Sequence, residues 1–333
     1  MSTITVLSEH ACWGGVQGFY RHDSTAIGLS MQFGVYRPPQ ASGGAVPALF
    51  YLAGLTCNEE TFAIKAGAQR FAAEHGLIIV TPDTSPRNTG IDAADSSWDF
   101  GTAAGFYLDA VLAPWDRHWK MEAYVTEELP IVIAEHFPVQ GDRLGVFGHS
   151  MGGHGALTLA LRHPDRYCSV SAFAPIAAPM RAPWGIKAFT GYLGTDHALW
   201  QEHDATELIA RGARMPDCLV DQGMADKFLS EQLDTEALAS ACTHSGQPLT
   251  LRRHAGYDTV TTSSHLSSPT TSRTTPGFCC KCRVEPHMAR GQRLCVCEGC
   301  HERKACLPAT SYAAERATVP MRRLAASALP SNA

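Results

Sequence analysis

Residues 148–152, Gly-His-Ser-Met-Gly, form a G-x-S-x-G pattern centred on Ser150. The apolar run before it (143–148) predicts a β-strand, and GGHGALTLALRHP (152–164) after it predicts a helix. In this strand–turn–helix context the glycines permit a sharp bend that exposes the serine hydroxyl as a nucleophile. The backbone N–H of Met151, at the positive end of the helix, would then face an oxyanion formed on the substrate. The pattern therefore predicts a serine hydrolase.

A second oxyanion donor is expected in the loop after an early strand. In FYLAGLTCNEETF an apolar strand ends at Ala53-Gly54 and a tight turn follows, so the Leu55 N–H is the candidate. Cys57 lies two residues further on and is either a reactive thiol or a small buried residue. Because Ser150 already supplies a nucleophile, we expect Cys57 to line the pocket without a catalytic role.

The acid of a Ser–His–Asp triad should follow a later strand, which DCLVDQG (217–223) predicts. Asp221 falls inside the strand pattern, whereas Asp226 lies in the loop that follows and could accept a hydrogen bond from a histidine. We therefore predict Asp226 as the acid. The alternative is that Asp226 caps a helix that begins near Phe228.

Strand and helix patterns alternate along the chain up to residue 258. Strands are predicted at 31–38, 48–54, 77–83, 143–148, 168–175, 217–223 and 248–256, and helices at 60–76, 124–138, 152–164 and 229–246. LIIVTPD (77–83) is apolar on both sides, which is typical of a strand buried on both faces of a sheet. The alternation predicts an α/β sandwich with a mostly parallel central sheet.

Composition predicts an ordinary globular protein with 45% hydrophobic residues. The sequence has no run of about 18 apolar residues, so no membrane partner is expected. The first residues lack the basic and apolar regions of a secretory signal. Five scattered cysteines before Thr259 are typical of reduced thiols, and a cytoplasmic location is expected.

Six stretches between about residue 5 and Asp258 resemble the S-formylglutathione hydrolase family, also called esterase D. They are G-L-T-C (54–57), S-W-D-F-G-T-A-A-G-F-Y-L-D-A (97–110), Y-V-T-E-E-L-P (124–130), F-G-H-S-M-G-G-H-G-A-L (147–157), P-W-G-I-K-A-F-T-G-Y-L-G (183–194) and D-Q-G-M-A-D-K-F-L (221–229). The resemblance implies an α/β-hydrolase fold and a serine thioesterase that converts S-formylglutathione to formate and glutathione.

The same resemblance implies the site and the partners. Ser150 matches the family's nucleophile and Asp226 its acid, and Trp184 is a candidate pocket residue. A small glutathione thioester is the expected partner, with no cofactor, no metal and no nucleic acid, and the chain is expected to form a homodimer. A general carboxylesterase of the same fold is the alternative function.

The sequence departs from the family pattern at the triad histidine. In the family a histidine follows G-Y-D directly, whereas here Gly256-Tyr257-Asp258 is followed by Thr259. A threonine hydroxyl cannot act as a base near neutral pH. His254, within the strand pattern, and His265, in a Ser/Thr/Pro-rich tract, are the nearest histidines, and we expect neither to replace it.

Residues 259–333 differ in composition from residues 1–258. The first part carries 17 Lys+Arg against 28 Asp+Glu and the second carries 10 against 4, while only two of the 28 aromatic residues lie in the second part. The family-like continuation D-H-G-Y-Y-F-I-S can be written as DNA with GC-rich codons. When one base is deleted after the Asp258 codon, the same DNA reads D-T-V-T-T-S-S, which is the sequence of residues 258–264. We therefore interpret 1–258 as a hydrolase domain without its usual C-terminal end, followed by a frameshifted tail that is disordered or non-native. Low activity is expected.

The tail also offers a zinc hypothesis. Cys279 and Cys282 form a C-x2-C pair, and Cys297 and Cys300 form a second pair after 14 intervening residues, which is a spacing of structural zinc sites. With its positive charge, such a module would bind a partner or nucleic acid beside a non-catalytic hydrolase body. The tail begins within a catalytic loop, has almost no apolar core and carries three further cysteines, so we favour the interpretation without metal.

Overall fold

The computed structural model describes residues 2–258 and the backbone of two short strands, Cys282–Val284 and Cys295–Cys297. The chain divides into two compact units, Met1–Cys280 and Lys281–Ala333. The first holds a large sheet, and the second holds the two short strands, which pair antiparallel. The predicted boundary after Asp258 adjoins residues outside the described part, so it stays a prediction.

The first unit is built on a nine-stranded sheet in the order β1-β2-β3-β5-β4-β6-β7-β8-β9. The strands are β1 Ile4–Cys12, β2 Gly15–Asp23, β3 Ser30–Arg37, β4 Val46–Leu52, β5 Ile78–Pro82, β6 Val139–His149, β7 Ser169–Phe173, β8 Cys218–Gly223 and β9 Leu249–His254. The pairs β1–β2, β2–β3 and β3–β5 are antiparallel, and all pairs from β5 to β9 are parallel. The predicted mostly parallel sheet is confirmed.

Nine α-helices connect these strands within residues 2–258. They are α1 Thr61–Lys65, α2 Gln69–His75, α3 Met121–Ala123, α4 Leu129–His136, α5 Met151–Arg162, α6 Pro183–Leu193, α7 His197–Gln201, α8 Ala205–Ala210 and α9 Thr235–Ser245. π-Helical turns span Tyr124–Glu128 and Leu229–Leu233, and 3-10 turns span Pro39–Ser42, Asp92–Asp95 and Trp115–Arg117. Over the described residues, none of the helices combines the length and the apolar character needed to cross a membrane.

Three predicted helices are interrupted. The helix predicted at 60–76 is two helices, because Gly67 takes a left-handed φ of 60° that cannot continue an α-helix. The helix predicted at 229–246 breaks at Asp234, whose φ is 44° and whose carboxylate caps α9 by accepting the Ala237 N–H. The helix predicted at 124–138 opens as a π-helical turn before Pro130, which has no N–H to donate backward.

Both faces of the sheet are covered. Along β4, Phe50 and Leu52 point into one apolar cluster, whereas Tyr51 and the following Ala53 point into a second. α4 and α5 contribute to the first cluster, and α1 and α2 to the second, so the sheet lies between two helical layers. This arrangement brings the carboxyl ends of the parallel strands to one edge, where the candidate site residues lie.

Candidate active site

Ser150 lies at the turn between β6 and α5, as predicted from its sequence context. Its φ of 57° and ψ of −117° are unfavourable for a residue with a side chain. The strain is held by backbone hydrogen bonds, since the Ser150 N–H donates to the Phe173 carbonyl (2.9 Å) and the Ser150 carbonyl accepts from the His154 N–H (3.0 Å). This geometry is that of a nucleophile elbow.

The glycines that flank Ser150 are required by close packing. A Cβ at Gly148 would lie 2.1 Å from the Gly152 carbonyl oxygen, and a Cβ at Gly152 would lie 1.9 Å from the Leu52 carbonyl oxygen. The start of α5 therefore packs directly on the end of β4. We call residues 148–152 the elbow.

The segment after β4, residues 53–57, forms a turn against the elbow; we call it the oxyanion turn. A Cβ at Gly54 would lie 3.2 Å from the Ser150 Cβ, so the backbone of the turn runs beside the candidate nucleophile. The Cys57 N–H donates to the Gly54 carbonyl (3.3 Å), and Thr56 takes a left-handed φ of 67°. The turn thus brings the backbone around Leu55 close to Ser150.

Among the amides at this place, neither the Leu55 N–H nor the Met151 N–H has a hydrogen-bond acceptor within the described part of the chain. Met151 is fully buried and Leu55 is half-buried. Unpaired backbone N–H groups away from water are rare in folded proteins. Their position on either side of Ser150 fits an oxyanion hole, which remains a prediction for these two residues.

The two candidate acids occupy different environments. Asp221, in β8, is fully buried, and its carboxylate pairs with Arg252 and lies 2.7 Å from the His254 Nε2. Asp226 is buried in the loop after β8, where its Oδ1 accepts the Phe228 N–H (2.9 Å). The location of Asp226 is as predicted. The π-helical turn that follows starts at Leu229 with Phe228 at its N-cap and no side-chain cap, so the bond from the Phe228 N–H lies in the loop, and the triad role of Asp226 stays a prediction.

His254 is held by Asp221 at the end of β9. It pairs in register with Gly223 of β8, and its ring packs edge-on against Tyr257. Ser150 follows β6, so β7 and β8 lie between it and β9, and strands are about 4.8 Å apart. This position agrees with the expectation that His254 belongs to the strand. Thr259 and His265 lie outside the described residues.

The predicted pocket residues lie near these elements. Burial raises the pKa of the Cys57 thiol, which keeps it protonated and disfavours a nucleophilic role. Trp184, in the first turn of α6, is buried and packs against Phe228 (ring centroids 4.8 Å apart) and the exposed Trp98 (5.7 Å). The aromatic contact links α6 to the loop that carries Asp226.

Tyr107 also belongs to this site, although no sequence pattern selects it. Its hydroxyl donates to the Ala53 carbonyl (2.8 Å) at the start of the oxyanion turn. It lies within one of the stretches that resemble the family, but no spacing rule connects residue 107 to residue 53.

No group of three or more His, Cys, Asp or Glu side chains within residues 2–258 is arranged to hold a metal ion. Of the four cysteines in the zinc hypothesis, Cys282 and Cys297 lie opposite each other in the backbone register of the short strands. Cys279 and Cys300 lie outside the described residues, so the zinc hypothesis is untested.

A serine in a strained strand–helix turn, at the carboxyl edge of a mostly parallel sheet and beside two unpaired amides, defines a serine hydrolase of the α/β-hydrolase fold. The sequence model of the Esterase family matches residues 24–269, which is most of the chain. Relatives and solved structures narrow this class further.

The chain is 50% identical over 254 residues to the S-formylglutathione hydrolase of Mus musculus and 51% identical over 252 residues to that of Paracoccus denitrificans. Each match covers 76% of this chain and 90% of the relative. The structure of an S-formylglutathione hydrolase from Agrobacterium tumefaciens superposes with a TM-score of 0.77 at 44% identity, covering 79% of this chain and 95% of that one. The chain belongs to the S-formylglutathione hydrolase family.

Proposed function

We propose that this chain is built to hydrolyse S-formylglutathione to formate and glutathione. The observation that carries the proposal is the elbow: Ser150 is strained and lies against the oxyanion turn, in a chain half identical to S-formylglutathione hydrolases. The fold alone would not choose a substrate, because one fold supports many functions.

The geometry supports a two-step reaction on the thioester. Ser150 Oγ would bond to the formyl carbon, and the carbonyl oxygen would become an oxyanion that accepts from the Leu55 and Met151 N–H groups. Collapse of this intermediate breaks the C–S bond, and glutathione leaves as its thiol once the sulfur gains a proton. Water then attacks the formyl ester on Ser150 and releases formate.

Both steps need a group that takes a proton from the attacking oxygen and returns one to the leaving atom. In the family this group is the histidine after G-Y-D, and here that position is Thr259. His254 is held by Asp221, and two strands lie between it and the strand that leads into the elbow. We therefore propose that the 333-residue chain keeps the nucleophile and the oxyanion hole but lacks the base.

The experiment inserts one base after the Asp258 codon and compares the two purified products on S-formylglutathione. We expect the restored protein to exceed the 333-residue protein by about 10⁴–10⁶ in kcat, the usual effect of a complete triad. Ser150→Ala is the matched control in both chains. It should abolish turnover in the restored protein and change little in the 333-residue protein, because triad residues act as a unit.

Two outcomes would contradict this proposal. Turnover by the 333-residue protein at an ordinary rate of about 10 s⁻¹ would show that another group acts as the base. No gain after the insertion would reject the frameshift. A higher kcat/KM of the restored protein for p-nitrophenyl acetate than for S-formylglutathione would favour the general carboxylesterase.

Location and assembly form the remaining part of the proposal. Four of the five cysteines within residues 2–258, namely Cys12, Cys57, Cys218 and Cys242, carry free thiols, which supports a cytoplasmic location. We propose a homodimer without cofactor or nucleic-acid partner. Light scattering on the eluting protein tests the dimer, and metal analysis of the same sample tests the zinc hypothesis.

A further inference from the structure

We propose that Tyr107 is a positioning residue that sets the separation of the two oxyanion donors, the Leu55 N–H and the Met151 N–H. The inference rests on the proposed function, because it assigns a role within the same site. Tyr107 is buried, and it contacts both segments that carry the donors.

The hydroxyl of Tyr107 holds the oxyanion turn. It donates to the Ala53 carbonyl at 2.8 Å, and that carbonyl belongs to the peptide immediately before the Gly54–Leu55 peptide. Rotation of the Ala53 peptide would redirect the Leu55 N–H, so the hydrogen bond fixes the direction of this donor. Burial raises the pKa of Tyr107 well above its usual value, so its hydroxyl remains a donor over the working pH range.

The ring of Tyr107 contacts the other segment. A Cβ at Gly155 would lie 2.5 Å from the Tyr107 Cδ2, so the ring lies directly on the backbone of α5. Gly155 is about one helical turn beyond Met151. One rigid aromatic side chain therefore spans from the helix that carries one donor to the turn that carries the other.

The backbone around Tyr107 is strained in a way that supports this role. Ala103, Phe106 and Tyr107 take left-handed φ angles of 61°, 49° and 52°, which side-chain-bearing residues rarely adopt. Such strain persists only where the surroundings hold it, and it concentrates at functional sites.

The strained segment is anchored at a second point of the turn. The Ala103 carbonyl accepts the Thr56 N–H (3.1 Å), and the Ala103 N–H donates to the Ser85 Oγ (2.8 Å). Leu55 therefore lies between two residues, Ala53 and Thr56, that are each bonded to the same segment. The consequence is an oxyanion hole whose geometry is set before substrate arrives, which is what electrostatic stabilisation of a transition state requires.

The test compares Tyr107→Phe with the unsubstituted 333-residue protein in binding methylboronic acid, which adds to a serine hydroxyl with release of a proton and gives a tetrahedral anion. This readout needs the nucleophile and the oxyanion donors but no turnover. Tyr167→Phe is the matched control, since the Tyr167 hydroxyl is buried and has no hydrogen-bond partner within the described residues.

We expect Tyr107→Phe to weaken boronate binding about tenfold or more, which is part of the roughly 10²–10³ that the loss of one oxyanion donor costs. Tyr167→Phe should stay within about twofold of the unsubstituted protein. In ¹H–¹⁵N spectra, the Leu55 amide should shift in Tyr107→Phe while the amides of β1 and β2 do not, which separates positioning from a general loss of structure.

Equal boronate binding by Tyr107→Phe and the unsubstituted protein would overturn the role of Tyr107 and leave the proposed function intact. An equal loss in Tyr167→Phe would also overturn it, because any buried hydroxyl would then serve. Absence of binding that depends on Ser150, tested with Ser150→Ala, would overturn the role of Tyr107 in this chain, whereas the proposed function is judged by the turnover of the base-restored protein.

Discussion

The elbow and the oxyanion turn meet beside Ser150, yet they are held in place by different means. The elbow takes its shape from its neighbours in sequence, β6 before it and α5 after it, and its glycines allow it to pack on Leu52. The oxyanion turn does not lead directly into a helix, since α1 begins only at Thr61. Its Cys57 carbonyl is held by Thr84 Oγ1 (2.6 Å) and Arg87 Nη2 (3.0 Å), and its Ala53 carbonyl by Tyr107.

This difference shows that a short sequence motif can specify the elbow but not the oxyanion turn. A G-x-S-x-G pattern describes a local shape, so it specifies the elbow wherever a strand precedes and a helix follows. The oxyanion turn depends on residues 27 to 54 positions away in sequence. Substitutions test this contrast through the free energy of unfolding. Substitutions in the elbow should change it through packing and backbone conformation, whereas those near the oxyanion turn should change it through charges that come from distant parts of the sequence.

The largest effect is expected for Gly152→Ala. The new Cβ would lie 1.9 Å from the Leu52 carbonyl oxygen, and backbone on both sides leaves no flexible group to move. We expect the free energy of unfolding to fall by about 3 kcal/mol or more, measured by urea denaturation. Gly141→Ala, in the same strand as Gly148 and with open space around its Cβ position, is the control and should change it by less than about 0.5 kcal/mol. Equal stability of both variants would show that the elbow is not held by packing.

A smaller, pH-dependent effect is expected for Glu59→Gln, just beyond the oxyanion turn. Burial, with the nearby Asp83 carboxylate, raises the pKa of Glu59 from 4.5 to about 7. Stability contributed by the protonated carboxyl is present below pH 4.5 and is lost as the pH rises through about 7. Glu59→Gln should therefore stabilise the protein at pH 8 by on the order of 2 kcal/mol more than at pH 4.5.

Thermal unfolding at the two pH values measures this difference. Glu74→Gln, at an exposed position of α2, is the control and should show no such dependence. A gain for Glu59→Gln that is the same at both pH values would mean that its carboxyl is not held protonated by the surroundings of the turn.

The smallest effect is expected for Ser150→Gly. The left-handed φ of Ser150 costs a residue with a Cβ about 1 kcal/mol or more, and glycine avoids that cost. We expect the free energy of unfolding to rise by about 1 kcal/mol by urea denaturation, with loss of all Ser150 chemistry. Ser150→Ala keeps the Cβ and should give no comparable gain; similar gains in both variants would place the strain elsewhere.

The sequence predicted the parallel half of the sheet well because its strands are apolar on both faces, as at Ile78–Pro82. It predicted the elbow because the strand, the glycines and the helix that form it all lie within residues 143–164, although Leu52 and Phe173 also hold it in place. The β1–β2 hairpin was not predicted, since β1 is largely exposed and β2 is only partly buried, so the two strands give a weak alternation. Single residues also broke long helical patterns, as Asp234 does, because one left-handed residue outweighs the periodicity around it.

The site could be predicted from the sequence only where its residues lie close together along the chain. Asp226 was preferred over Asp221 because it follows the strand pattern. The structure places it in that loop and pairs Asp221 with Arg252, while the triad role of Asp226 stays a prediction. Tyr107 could not be recognised as a site residue from the sequence, because its hydroxyl bonds to Ala53, 54 residues away, and no spacing rule connects the two. Contacts between distant segments leave no period in the sequence.

The absence of space between Gly152 and Leu52 has a consequence for mutational scanning. A library that covers residues 148–152 in the base-restored protein would show two kinds of intolerance if it were scored separately for protein abundance and for activity. Positions 148 and 152 should fail the abundance score, because their variants do not fold, whereas variants at 150 should be abundant and inert. Comparing the two scores would separate the residues that shape the site from the residue that reacts, with no assumption about which side chains complete the triad.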